Sequence, residues 1–119
     1  MIDDIDRIMS VMAQAFDPHW GEAWNRRQIG DALLLPATGY ILADASGQWP
    51  AEGRDAAAFA LTRQTLDEAE LLLIAVVPQE RGRGLGRIVL EQVIAAVRGR
   101  GAAKLFLEMR HNNPAEHLY

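Results

Sequence analysis

Residues 70–86 read ELLLIAVVPQERGRGLG, and this stretch decides the fold. An unbroken apolar strand over residues 71–77 runs into a turn with glycine at positions 82, 84 and 86, and an amphipathic helix begins directly after it. Glycine has no β-carbon, so an anion can approach the backbone of such a turn closely. The first amides of the helix lack intrahelical acceptors and lie at the positive end of its dipole. The stretch therefore predicts a pyrophosphate site where the strand passes into the helix.

Length and composition indicate one globular domain over residues 1–119. Half of the residues are hydrophobic, 24% are charged and none is cysteine. No apolar run approaches the roughly 20 residues that a membrane-spanning helix needs, and the N-terminus is acidic where a signal peptide would be basic. We therefore expect a cytoplasmic protein with no membrane partner, no disulfide and no cysteine nucleophile. His111 and His117 have a poor spacing for metal ligands, so we expect no metal.

The charge is distributed unevenly along the chain. Residues 1–70 carry 12 acidic and 5 basic side chains, whereas residues 71–119 carry 4 acidic and 7 basic ones. The basic part contains the glycine turn, which favours a phosphorylated small ligand there, and the acidic remainder disfavours a general nucleic-acid binder. An RNA-binding element that uses Arg81, Arg83 and Arg87 is a rival interpretation, although the turn lacks interleaved aromatic residues.

Apolar periodicity predicts the order α, α, β, β, β, α, β, α. Asp3 or Asp4 is placed to cap the first helix, and Trp24 shares a face of the second with Ile29. One strand, the glycine turn, a helix and another strand form a right-handed crossover unit after antiparallel hairpins, so we expect an α/β fold with a mixed sheet. The expected helices are residues 5–16, about 22–35, 85–97 and a last one from Asn113, and the expected strands are residues 40–45, 57–66, 71–77 and 104–110.

The turn reads RGRGLG over residues 81–86, an RxxGxG pattern. It is not a P-loop, because no Gly-Lys-Ser/Thr follows, and not a Rossmann fingerprint, because Arg87 stands where the third glycine belongs. The segment resembles motif A of the GNAT superfamily of acyl-CoA N-acyltransferases, in which a Q/RxxGxG/A turn binds the pyrophosphate of coenzyme A. More narrowly, the chain is similar to the RimI type, the ribosomal-protein-alanine N-acetyltransferases. The segments that carry this likeness are residues 57–61, 66–69, 74–76, 81–86 and 107–113.

The resemblance implies a reaction and a set of site residues. The reaction is transfer of acetyl from acetyl-CoA to a primary amine by direct attack, with a protein N-terminal α-amine, first of all that of a ribosomal protein, as the expected acceptor. Glu108 matches the general base and Tyr119 the general acid that protonates the departing thiolate. The residues implied for the cofactor are Ile74, Ala75 and Val76 for the pantetheine arm, Arg81, Gly82, Arg83, Gly84, Leu85 and Gly86 for the pyrophosphate, and Asn113.

Some alternatives stay open. The family spacing from asparagine to tyrosine is one residue longer than from Asn113 to Tyr119, so Asn112 could be the matching residue. Glu108 could instead be a surface acid paired with Lys104 or Arg110.

Members of the family continue past this tyrosine through two more strands, which are missing from this sequence. Three alternatives are therefore open: the chain was cut, the missing strands come from a partner such as a second copy in a homodimer, or the chain is a non-catalytic acyl-CoA-binding module derived from a truncated domain. We also expect the acids Asp67, Glu68 and Glu70 to attract a cationic amine.

Overall fold

Three helices and four strands are formed by residues 3–16 and 24–107, the parts of the chain that the computed structural model describes. The order along the chain is the predicted one as far as the last strand. The predicted helix from Asn113 lies outside the described residues. The elements are α1 (Asp4–Ala15), α2 (Arg26–Leu33), β1 (Thr38–Ala43), β2 (Ala58–Thr65), β3 (Glu68–Val76), α3 (Leu85–Gly99) and β4 (Lys104–Leu107), with a 3-10 turn at Pro78–Glu80.

The strands form one mixed sheet in the order β1-β2-β3-β4. β1, β2 and β3 are antiparallel neighbours, and β4 is parallel to β3 because α3 crosses between them. α1 and α2 cover one face of the sheet, and α3 covers the other. The predicted α/β fold with a mixed central sheet is therefore confirmed.

The two faces of the sheet bury side chains of different size. Phe59 and Leu61 of β2 lie under α1, together with Met12 of that helix. The face under α3 is built largely from short side chains, which let the helix approach the strands closely. The fully buried alanines on that face are Ala43, Ala58, Ala60 and Ala69.

α1 begins at a capping box. The amide of Asp6 donates to the Asp3 carboxylate at 2.8 Å, and the amide of Asp3 donates to the Asp6 carboxylate at 3.2 Å. Of the two predicted caps, Asp3 is therefore the one that acts. Of the apolar stripe that the spacing predicts for this helix, Ile8, Met12 and Phe16 are buried, and Ile5 and Met9 are half-buried.

The predicted start of α2 near residue 22 is wrong. The helix begins at Arg26, because Asn25 and Gln28 form a second capping box in which each side chain accepts from the other's amide at 2.8 Å. Trp24 precedes the helix and packs, half-buried, against the core under α1. It therefore does not share a helical face with Ile29.

Two strand boundaries also differ from the prediction. β1 begins at Thr38, two residues before the predicted start at residue 40, because Thr38 and Gly39 pair with β2. The hairpin between β2 and β3 turns at Leu66 and Asp67, so β3 begins at Glu68 and not at residue 71. Leu66 has φ of 56° and is exposed, a strained position for a leucine.

A buried arginine ties α1 to the loop after β1. Arg7 is only 6% exposed, and its guanidinium donates to the carbonyl oxygens of Arg54 at 2.9 Å and Ala51 at 2.8 Å. It also pairs with the Asp4 carboxylate at 3.0 Å, which accepts a short hydrogen bond from the Tyr40 hydroxyl. The pKa of Tyr40 is raised to about 12, chiefly by burial and also by its hydrogen bond to the Asp4 carboxylate.

We expect the contribution of Tyr40 to stability to be lost at high pH. Its pKa is higher in the folded chain than the ordinary value of 10.0, so folding favours the neutral phenol, and this stabilisation falls as the pH rises from about 10 to about 12. The measurement is urea unfolding of the wild type and Tyr40→Phe across this range. Tyr40→Phe should be the less stable protein near pH 8, and the difference should shrink above pH 10. A difference that stays constant to pH 12 would contradict the assignment.

Candidate functional site

β3 contains one residue more than the part of β2 opposite it. Leu61 pairs with Leu73, and Thr62 pairs with Leu71, so Leu72 has no partner and forms a β-bulge. A bulge of this kind bends its strand and increases the local twist. The second half of β3 therefore leaves the sheet in a different direction from the first.

The bulge also reverses the alternation of side chains along β3. Ala69 and Leu71 face α3 before it, and Ile74 and Val76 do so after it, while Ala75 packs on the α1 side. The side chains of residues 74–76 are all buried. Only the backbone of this predicted cofactor segment is therefore available to a ligand.

β4 borders only the first part of β3. Within the described residues, its pairing runs over residues 68–71 of β3 and residues 104–107 of β4, and β3 continues to Val76. In an antiparallel pair, only alternate residues exchange hydrogen bonds with the partner strand, so part of the backbone of residues 72–76 points away from β2. This edge is where an extended ligand could add hydrogen bonds to the sheet.

The glycine turn has a backbone that only glycine adopts readily. Gly82 has φ of 78° and Gly84 has φ of 84°, both in the left-handed region. A β-carbon built at either position would meet no described atom within 4 Å. These two glycines therefore serve the backbone conformation, and the space above the turn is open.

α3 begins without a side-chain cap, in contrast to α1 and α2. Its N-cap is Gly84, which has no side chain to offer, and the amides of Leu85, Gly86 and Arg87 have no intrahelical acceptor. In the described parts of the chain we find no acceptor for the turn amides of Gly82, Arg83 and Gly84 either. A run of amide donors at the positive end of a helix is suited to an anion such as pyrophosphate.

Arg81 is oriented differently from the rest of the predicted pyrophosphate segment. Its amide donates to the carbonyl oxygen of Pro78 at 3.3 Å. Its guanidinium donates to the carbonyl oxygens of Val76 at 3.1 Å and Ala15 at 2.9 Å. Arg83, by contrast, is 70% exposed and only loosely paired with Glu80 at 3.7 Å. The donors available to an anion are therefore those of residues 82–87.

The predicted catalytic residues lie outside the described part of the chain. Glu108 and Tyr119 are among them, as are Asn112 and Asn113. Glu108 is the residue that follows the end of β4, and that end pairs with Leu71, directly before the bulge. The three histidines and Trp20 are also outside the described residues.

A surface depression lies at the end of β3 remote from the glycine turn. It is lined by Thr65, Glu68, Glu70, Phe106 and Leu107. Phe106 and Leu107 are 47% and 42% exposed, so the apolar part of the lining remains in contact with solvent. The predicted acids Glu68 and Glu70 are thus brought together. Their apolar neighbours from β4 were not predicted, because only strand pairing brings them there.

No group of three or more histidine, cysteine, aspartate or glutamate side chains in residues 3–16 and 24–107 could hold a metal ion. No helix in the same ranges is long and apolar enough to cross a membrane.

Residues 5–119 match the Acetyltransferase (GNAT) family, and the chain belongs to this family. Proteins named [Ribosomal protein bS18]-alanine N-acetyltransferase from Escherichia coli K12 and Salmonella typhimurium are 51% identical to it over 59 residues. This match covers 50% of the present chain and 40% of each relative, so the matched part is less than half of their length.

Solved structures agree with this assignment. The crystal structure of the ribosomal-protein-S18-alanine N-acetyltransferase from Escherichia coli has a TM-score of 0.74 and 30% identity, and the comparison covers 97% of the present chain and 66% of that one. The crystal structure of a GNAT family acetyltransferase from Staphylococcus aureus has a TM-score of 0.66 at 9% identity. That comparison covers 94% of the present chain and 85% of the Staphylococcus aureus chain, and it supports the fold alone. The predicted GNAT fold and the likeness to the RimI type are confirmed.

We expect Gly84→Ala to weaken acetyl-CoA binding beyond its effect on stability. A left-handed φ costs a non-glycine residue about 1–2 kcal/mol. The change also alters the amides at the start of α3, so we expect about a tenfold rise in the dissociation constant by calorimetry. Gly101→Ala is the matched control, because Gly101 has φ of 92°, equally open space and a position beyond the other end of α3. Equal affinity in the two variants would argue against the turn as the binding site.

Proposed function

We propose that this chain transfers the acetyl group of acetyl-CoA to a protein N-terminal α-amine. The names of its relatives point to an N-terminal alanine of ribosomal protein bS18 as the acceptor. The observation that carries the proposal is the contrast between the helix N-termini. α1 and α2 are closed by capping boxes, whereas α3 is left open behind a left-handed glycine turn.

The cofactor is assigned along β3 and the turn that follows. The amides of residues 82–87 hold the pyrophosphate, and the exposed Arg83 and Arg87 add positive charge beside it. The Arg81 amide is left out of this set because it already donates to Pro78. The backbone at Ile74, Ala75 and Val76 pairs with the pantetheine arm, which brings the thioester towards the bulge at Leu72.

The chemistry requires a base and an acid. An α-amine arrives partly protonated near neutral pH, and Glu108 accepts its proton directly or through a water molecule. The nitrogen then forms a bond to the thioester carbonyl carbon, and the carbon–sulfur bond breaks as Tyr119 donates a proton to the departing thiolate. The second proton of the nitrogen passes through water to the Tyr119 phenolate, and Glu108 releases the first proton to solvent. Asn113 contacts the cofactor near Tyr119. For an acceptor that arrives as the ammonium ion, each turnover releases an N-acetylated terminus, free CoA and one proton.

We expect Glu108→Gln to lower kcat with little change in acetyl-CoA binding. General-base catalysis is worth about 10²- to 10⁴-fold, so kcat should fall at least 100-fold. The measurement is thiol release from acetyl-CoA with a peptide that begins with alanine, alongside calorimetric titration of acetyl-CoA. Glu91→Gln, an exposed acid on α3, is the control and should behave as the wild type. Unchanged kcat in Glu108→Gln would remove this residue from the mechanism.

We further propose that the acceptor approaches from the depression at the far end of β3. β3 runs from Glu68 to Val76, about 26 Å at the usual rise of about 3.3 Å per residue, so cofactor turn and depression lie at opposite ends of the strand. Glu68 has no ion-pair partner among the described residues, and Glu70 has only Arg63, at 3.4 Å. The two carboxylates provide a negative field for a cationic N-terminus. Phe106 and Leu107 offer an apolar contact beside them.

We expect the triple variant Asp67→Asn, Glu68→Gln, Glu70→Gln to raise the acceptor KM several-fold with little change in kcat. Charge attraction outside the reacting centre contributes to binding in the ground state and transition state alike. The matched control neutralises three exposed acids elsewhere, Glu52, Asp55 and Glu91. The difference between the variants should decline with added salt. An acceptor KM equal to that of the control would exclude the depression as the entrance.

We also propose that residues 1–119 act as one domain and work in the cytoplasm. Both apolar clusters lie against a single sheet, which supports one folding unit. The compartment follows from the proposed acceptor, a ribosomal protein.

A further inference from the structure

We propose that Arg81 is a positioning residue that joins the glycine turn to the end of α1, so that cofactor binding at the turn is coupled to the last turn of that helix. This inference rests on the proposed function. It assigns the Arg81 side chain a role within the protein, distinct from attraction of the phosphates by its charge.

The Arg81 guanidinium bridges two segments that are distant in the sequence. It donates to Val76 at the end of β3 and to Ala15, the last residue of α1, which is 66 positions away. Both acceptors are backbone carbonyl oxygens of buried residues. Arg81 thereby fixes the start of the glycine turn relative to a strand and a helix at once.

The end of α1 lacks what Arg81 provides. The last four carbonyl groups of a helix have no intrahelical donor, and a cation near them is favoured by the helix dipole. α1 has no basic residue in its own last turn. The guanidinium of Arg81 supplies both a donor and a positive charge to the Ala15 carbonyl.

A second hydrogen bond joins the same two segments. Gln79 Nε2, in the 3-10 turn before Arg81, donates to Gln14 Oε1 at 3.3 Å, next to Ala15. The end of α1 and the entrance to the turn are therefore held together by two adjacent contacts. We therefore expect a displacement of the turn as it closes on a pyrophosphate to act on the last turn of α1 through these contacts.

Only arginine can make the bridge as it stands. Its planar guanidinium directs two separate N–H groups to the two carbonyl oxygens, whereas the single ammonium group of lysine has no such fork. Arg81→Lys therefore keeps the charge and removes the geometry. Arg83 provides the matched comparison, because it carries the same charge in the same turn and its guanidinium only approaches the Glu80 carboxylate, at 3.7 Å.

The test compares Arg81→Lys and Arg81→Gln with Arg83→Lys and Arg83→Gln. Acetyl-CoA affinity is measured by calorimetry at two salt concentrations. We expect Arg81→Lys to bind acetyl-CoA about tenfold more weakly and to show the salt dependence of the wild type. Arg83→Lys should match the wild type, and Arg83→Gln should lose a few-fold in affinity, chiefly at low salt.

Amide hydrogen exchange of the wild type tests the coupling without any variant. We expect acetyl-CoA to slow exchange in the last turn of α1, residues 12–15, and Arg81→Gln to abolish this effect. Unchanged exchange there in the saturated wild type, or wild-type acetyl-CoA affinity in Arg81→Lys, would overturn the inference. Failure of the wild type to bind acetyl-CoA would instead overturn the proposed function.

Discussion

One additional residue in β3 sets the geometry on which the site depends. Leu72 is inserted between two regular stretches of pairing with β2, and the side chains that follow it exchange faces. Because of this change of faces, residues on both sides of the bulge, Leu71 before it and Ile74 after it, pack in the same apolar cluster under α3. The same insertion bends the strand where β4 stops bordering it within the described residues. A backbone edge for a ligand and a continuous core thus have one origin.

The three described helices show how a sequence can close or open a helix N-terminus. The boxes Asp3–Asp6 and Asn25–Gln28 satisfy the first amides of α1 and α2 from within the chain. At α3 a left-handed glycine takes the cap position and leaves the amides without a side-chain acceptor. Helix amides without an acceptor ordinarily cost a little stability. Here they are the groups that we propose bind the pyrophosphate of acetyl-CoA.

Patterns of local origin could be predicted from the sequence. The stripe of α1, the apolar strand before the turn and the glycine turn itself were read directly, because period and residue type determine them. The bulge could not be, since Leu71, Leu72 and Leu73 are alike and only the partner strand decides which is inserted. The apolar spacing of Trp24 predicts a start for α2 that is too early, because the polar capping box of Asn25 and Gln28 determines where the helix begins.

The parts of the candidate site that depend on local sequence could likewise be predicted, and the parts that depend on contacts between distant residues could not. The RxxGxG pattern locates a turn with free amides, but it does not reveal that the Arg81 side chain faces a carbonyl group 66 residues earlier. Phe106 and Leu107 join Glu68 and Glu70 only through the parallel pairing of β4 with β3. Contacts of this kind are properties of topology and cannot be read from spacing.

The small side chains under α3 have a consequence for how this protein can change. Ala58 and Ala60 of β2 are fully buried beneath the helix, so their methyl groups act as spacers that determine how high α3 stands above the strands. The open amides at its N-terminus move with it. A larger side chain at either position would move the N-terminus of α3 away from the edge of β3. These two alanines therefore determine the distance between the two parts of the proposed ligand site.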